Sequence, residues 1–222
     1  MARSFVLLPA AGRSTRMGRP KLLLPLAGRP LVLHTLAAWQ QSRVQRVVVV
    51  VRPDDQPLAD VLRQAGVDLV IPPLAPPDMK ASLAYGLAHI AEHYRPTAAD
   101  SWLVAPADMP GLSPRVIDRL LDEAGQSAGR VLIPTLAGRR GHPVLLPWPL
   151  AAEVASLAED EGLGTLIDRH GPLLVACDDA EPHAWRAFAD IDTPEDLSRL
   201  QGEGVAGEGL GSLWPNPFHE NG

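Results

Sequence analysis

Apolar positions along the chain fall into two patterns: short runs that stop at proline or glycine, and longer stripes with helical spacing. Phe5-Val6-Leu7-Leu8 is a short run stopped by Pro9, and Arg46 to Val51 carries five consecutive valines, which predicts a strand buried on both faces. Val67 to Ile71 predicts a strand closed by Pro72-Pro73, and Ser101 to Ala105, Val131 to Ile133, Val144 to Leu146 and Leu173 to Ala176 predict further strands. Leu83, Leu87, Ile90 and Tyr94 are spaced four, three and four apart, one stripe of a helix from Met79 to Tyr94. Helices are also predicted over Leu31 to Gln41, over Leu58 to Ala65 with a stop at Gly66, and from Pro114 to about Glu123. Ser113 is a candidate N-cap for the last of these, and Pro114 suits its first turn.

Strands alternating with helices build βαβ units, so the pattern predicts a three-layer α/β/α sandwich on a mostly parallel, mixed sheet, Rossmann-like in outline. Ligands of such sheets bind beyond the carboxyl ends of the strands. The loops 9–21 and 106–110 both follow predicted strands and should meet at that edge. The domain is expected over residues 1–200. From 201 to 222 the composition changes to crowded glycines followed by Trp214-Pro215-Asn216-Pro217, which predicts a mobile tail.

Composition narrows the class. The chain has 222 residues, enough for one domain with a substantial core, with 46% hydrophobic and 21% charged residues. The net charge of −6 disfavours a general nucleic-acid binder. No apolar run reaches the ~18 residues of a membrane span, and the N-terminus lacks the longer apolar region of a signal peptide. The single cysteine, Cys177, ends a strand-like apolar run and reads as a buried structural residue; a cytoplasmic location is expected.

The first loop carries the candidate chemistry. Pro9, Ala10, Ala11 and Gly12 allow close backbone approach to a ligand, and Arg13, Arg16, Arg19 and Lys21 add four positive charges within nine residues. Backbone donors with Arg and Lys suit a triphosphate. Taken alone, the same residues equally describe a solvated basic loop. The loop lacks the Gly-Lys-Ser/Thr of a Walker P-loop and the dinucleotide Gly-x-Gly-x-x-Gly fingerprint. Asp108, in Pro106-Ala107-Asp108-Met109-Pro110, could hold Mg²⁺ or simply serve a turn. Asp190 and Asp192 alternate along an extended segment and so share a face, while Thr193-Pro194 starts a capped helix. No Ser-His-Asp, Cys-His or zinc-type set stands out.

The run Ala10-Ala11-Gly12-Arg13-Ser14-Thr15-Arg16-Met17-Gly18-Arg19-Pro20-Lys21 resembles the nucleotide loop of the MobA-like NTP transferases. These have a nucleotide-diphospho-sugar transferase fold, and the likeness is greatest to the molybdenum cofactor cytidylyltransferases. Pro9 stands where that group usually has Leu. The resemblance implies a nucleotide site made by Pro9, Ala10, Ala11, Gly12, Arg13, Ser14, Arg16, Lys21 and Ser82, with Arg16 and Lys21 on the phosphates. It implies Asp108 as a catalytic metal ligand, joined by Asp192 with Asp190 in reserve, and Mg²⁺ as cofactor. Arg140, Gly141 and His142, in an Arg-Gly-His-Pro-Val match, would bind the acceptor, with His142 in binding rather than proton transfer. The implied reaction moves CMP from CTP to molybdopterin, whose product a molybdenum enzyme would receive. Transfer to a sugar or polyol phosphate, a GTP-using guanylyltransferase, and a non-catalytic cofactor-delivery protein are the alternatives. Asp78 replaces the Gly that relatives carry before Met79, and Gly164 replaces an Arg that follows their Asp-x-Gly-Ala segment.

Overall fold

The computed structural model describes residues 2–13, 20–136 and 138–177. Its frame is an eight-stranded sheet with helices on both faces. The first strand, β1 (Ser4–Pro9), leads through a 3-10 turn at Lys21–Leu23 into a two-stranded hairpin, β2 (Pro25–Leu26) and β3 (Arg29–Pro30). Ala27 and Gly28 turn that hairpin with φ of 47° and 78°, the left-handed region such a tight turn requires. Then follow α1 (Leu31–Gln40), β4 (Arg46–Val50), α2 (Gln56–Gln64), β5 (Asp68–Val70), α3 (Met79–Tyr94) and β6 (Ser101–Val104). The remaining elements are α4 (Pro114–Gln126), β7 (Leu132–Leu136), β8 (Arg139–Arg140), β9 (Val144–Pro147), α5 (Ala151–Val154), α6 (Leu163–Arg169) and β10 (Leu173–Ala176).

Across the sheet the order is β10-β7-β9-β6-β1-β4-β5, with β8 pairing the end of β7. β1 pairs parallel with both β4 and β6, β4 with β5, and β10 with β7. The antiparallel members are β9, inserted between β6 and β7, and the short β8 on the end of β7. The mostly parallel, mixed three-layer sandwich read from the chain is therefore the fold. The period-two alternation of the strands divides two cores. Val6, Leu8, Val47 and Val49 face α1, α2 and α4, while Phe5, Leu7, Val48 and Val50 face α3, α5 and α6.

Most predicted elements stand close to their expected bounds. Leu83, Leu87 and Ile90 are buried, and Tyr94 packs beside them. One helix approaches the sheet unusually closely: a Cβ placed on Gly86 of α3 would come within 2.1 Å of a methyl carbon of fully buried Leu7. The hairpin β2–β3, the strand β8 and the short helices α5 and α6 have no counterpart among the predicted elements. Cys177 is buried beside Val116, as expected. The expected boundary near residue 200, the tail, and the pair Asp190 and Asp192 lie outside the described residues.

Candidate active site

β1, β4, β6, β7 and β10 all run in one direction, and β9 begins where they end. The register sets the geometry: Pro9 of β1 lies opposite Val50 of β4, Leu7 opposite Val104 of β6, and Val104 opposite Val144 of β9. The loops after β1, β4 and β6, and the turn before β9, therefore share one edge. The predicted meeting of the loops 9–21 and 106–110 occurs there. Their link is an ion pair between the Lys21 ammonium and an Asp108 carboxylate oxygen, with both side chains largely shielded from water.

Asp108 is buried in a neck of chain whose apolar residues Ala105, Ala107, Met109 and Leu112 belong to the core. Such a neck holds a carboxylate only when a cation or donors face it. It offers the hard oxygen donor that Mg²⁺ prefers, and the Lys21 ammonium standing against it shows that the position accepts a positive charge. Among the described residues no group of three or more His, Cys, Asp or Glu side chains could hold a metal. A bound ion would therefore take Asp108 together with oxygens from substrate phosphates or from residues outside the described part.

At the same edge, where β1 and β4 end, lies a cavity of about 490 Å³, walled by Pro9, Ala11, Gly12, Arg13, Arg52, the 75–77 segment, Asp78, Met79 and Ser82. Of the residues expected at a nucleotide site, Pro9, Ala11, Gly12, Arg13 and Ser82 are brought together in this one wall. Ala10 does not line the cavity: it is buried, and its N–H donates to the Val50 carbonyl at 2.9 Å, extending the sheet by one residue. Its role is to anchor the loop. Ser82 is buried, and its hydroxyl donates to the Asp78 carbonyl at 3.1 Å, so it braces the first turn of α3 as well as facing the cavity. Ser14 and Arg16 lie outside the described residues, as does the second proposed metal ligand, Asp192.

The candidate acceptor loop reaches the same edge by a different route. Arg140 pairs with Thr135 in the β7–β8 hairpin, and Gly141 donates its N–H to the Pro134 carbonyl at 2.9 Å. The Arg140 guanidinium makes a 3.1 Å ion pair with Asp168 of α6, so part of its charge is engaged away from the cavity. The His142–Pro143 peptide is cis. His142 is half-buried with its Nδ1 atom sealed from solvent, and desolvation lowers its pKa to about 4. It is therefore neutral at pH 7 and able to form hydrogen bonds without carrying charge.

Two residues add functions that the sequence reading did not assign. Arg52 follows β4 and lines the cavity. Its guanidinium donates to the Gly12 carbonyl at 3.1 Å and to Asp54 at 2.8 Å, with Asp55 3.7 Å away. It ties the end of β4 to the loop after β1. Asp78 caps α3, accepting from the Ala81 N–H at 2.7 Å. Both were within reach of simple rules: Arg52 directly follows a buried strand at the ligand edge, and Asp at the residue before a helix is a strong N-cap signal.

The MobA-like NTP transferase domain model matches residues 6–173. The chain is 39% identical over 143 residues to the 2-C-methyl-D-erythritol 4-phosphate cytidylyltransferase of Ralstonia nicotianae, covering 59% of this chain and 55% of that protein. It thus spans a little over half the length of the curated relatives it matches. Among solved structures, Rv0371c from Mycobacterium tuberculosis H37Rv is similar with a TM-score of 0.72 at 26% identity, covering 90% of this chain and 98% of that one. Rv0371c in complex with manganese is similar with a TM-score of 0.68 at 26% identity, covering 91% and 99%.

Proposed function

Because the chain belongs to the MobA-like NTP transferase domain family, we propose that it transfers CMP from CTP to the phosphate of a sugar or polyol phosphate, with release of pyrophosphate. The observation that carries this reading is the Lys21–Asp108 ion pair, which joins two strand-end loops at the sheet edge that also carries a cavity of nucleotide-binding size. Cytidine as the nucleoside and a polyol phosphate as the acceptor are supported by the name of the Ralstonia nicotianae relative.

An acceptor phosphate oxygen attacks the α-phosphorus while the bond to pyrophosphate breaks. That oxygen is already ionised at neutral pH, so no general base is needed, in keeping with a neutral His142. The contribution of the chain is alignment and charge stabilisation. Arg13 and Lys21 face the anionic end of the nucleotide, and Asp108 holds Lys21 in place. A divalent ion on Asp108 would neutralise charge on the phosphates during transfer.

Molybdopterin as the acceptor is the second reading, favoured by the Arg140-Gly141-His142-Pro143-Val144 segment; a GTP-dependent guanylyltransferase would be distinguished in the same assay. Pyrophosphate release is to be measured for CTP, UTP, GTP and ATP against 2-C-methyl-D-erythritol 4-phosphate, other polyol and sugar phosphates, and molybdopterin, with Mg²⁺ and with Mn²⁺. Turnover with CTP and a polyol or sugar phosphate is expected. Turnover with molybdopterin alone would replace the acceptor assignment, and no turnover with any pair would favour a nucleotide-binding delivery protein.

A further inference from the structure

The cavity at the ends of β1 and β4 has few polar groups in its wall, and most of them are already engaged. Arg52 is held by Gly12, Asp54 and Asp55. The buried Ser82 hydroxyl donates its proton to the Asp78 carbonyl. Arg13 is a cation, suited to phosphate. Asp78 differs from all three. One carboxylate oxygen accepts the Ala81 N–H at 2.7 Å, which fixes the side chain at the start of α3. An ionised carboxylate has about four acceptor positions and no donor, so this single capping bond leaves acceptor capacity in the cavity wall. The rest of that wall is largely apolar: Pro9, Ala11, Ala75, Pro76, Pro77 and Met79. Such surfaces suit the flat faces of a nucleobase, and a fixed polar group then reads its edge.

We infer that Asp78 is a specificity-determining residue that selects a nucleobase with an exocyclic amino group, cytosine in preference to uracil. This rests on the nucleotidyl-transfer reading for placing a nucleotide in the cavity, and it deepens that reading by naming which base edge the wall accepts. Cytosine carries an amino donor where uracil carries a carbonyl acceptor. A carboxylate gains a charge-assisted hydrogen bond from the first and meets lone-pair repulsion from the second. The capping bond matters as much as the charge. It removes the rotational freedom of the carboxylate, so the acceptor is already in place before the nucleotide arrives.

The test is competitive binding of CTP and UTP, measured by displacement of a fluorescent nucleotide with no acceptor present, for the wild type, Asp78→Asn and Asp78→Ser. Asn and Ser both retain the N-cap, and thermal melting checks that α3 is intact. Asn also presents an amide donor that uracil can use. The wild type should prefer CTP by about 30-fold, within the range that one polar contact supports. Asp78→Asn should narrow or reverse that preference, and Asp78→Ser should weaken CTP while leaving UTP nearly unchanged. A wild type that binds CTP and UTP equally, or a preference that survives in Asp78→Asn within about twofold, overturns the inference. Failure of the transfer reading looks different: CTP would still be preferred through Asp78, with no pyrophosphate released by any acceptor. Binding of neither nucleotide overturns both.

Discussion

Two aspartates stand near opposite ends of β6, and each is buried against a cation. At the amino end, Asp100 accepts from the Arg3 guanidinium through Nε at 3.2 Å and Nη2 at 2.7 Å, from the Arg3 backbone N–H at 2.7 Å and from the Thr97 N–H at 2.7 Å. At the carboxyl end, Asp108 is met by the Lys21 ammonium. Burial alone would raise the Asp100 pKa, but the Arg3 and backbone hydrogen bonds outweigh it and hold the group at about 2. A planar fork with fixed backbone donors closes a carboxylate to anything else. A lysine is a point charge on a flexible stem and can yield to a metal or a phosphate. The same pairing of charges is thus closed at one end of the strand and open to exchange at the other, where the proposed chemistry lies, and the difference lies in how rigidly the donors are fixed.

The largest effect should come from Asp108→Asn, which keeps the volume and removes the charge. Pyrophosphate release should fall by about a thousandfold, the scale of losing a key electrostatic group, while the melting curve changes little. A decrease under about tenfold would make Asp108 a structural residue like Asp100.

Asp100→Asn should do the reverse: stability falls, and turnover per folded molecule is unchanged. The Asp100 pKa drops from 3.8 to about 2 in the folded state, so its contribution is present above pH 4 and lost as the pH falls towards 2. The shift corresponds to about 2 kcal/mol, and Asp100→Asn should flatten that part of the acid-unfolding profile. His142 gives the other end its own window. Its pKa falls from 6.5 to about 4 on burial, so folding loses stability as the pH drops between those values. Unfolding followed by tryptophan fluorescence should resolve the His142 component, which His142→Gln removes.

The smallest effect is expected at Arg52, which touches the nucleotide loop without being its main charge. Arg52→Gln should raise the KM for the nucleotide by about tenfold, the value of one charge-assisted hydrogen bond, with kcat and the acceptor KM nearly constant. A fall in kcat alone would show that Arg52 acts on the reacting phosphates.

Local signals made much of the frame legible. The five valines before Arg52 mark a strand buried on both faces, the stripe from Leu83 to Tyr94 marks the buried face of a helix, and prolines mark where such runs stop. The position of β9 was not legible. Val144 to Leu146 looks like any buried strand, and only pairing across the sheet makes it run against β6 and β7. At the site, Lys21 and Asp108 could be read because small residues, basic charges and strand ends coincide. Arg140 shows the limit: its basic charge is plain in the sequence, whereas its engagement with Asp168 depends on a helix 28 residues later. Asp78 was read as a replaced glycine, although its position before Met79 also marks a helix cap.

The reversed strand has an evolutionary consequence. Because β9 runs back against its neighbours, the β7–β8–β9 ribbon delivers Arg140 to Pro143 to the strand-end edge as a self-contained cassette, separate in sequence from the segments that line the cavity. Under the proposed function, changes within this ribbon would redirect the choice of acceptor and leave the cavity wall unaltered. One inherited scaffold can diversify its substrates in this way by editing a single hairpin.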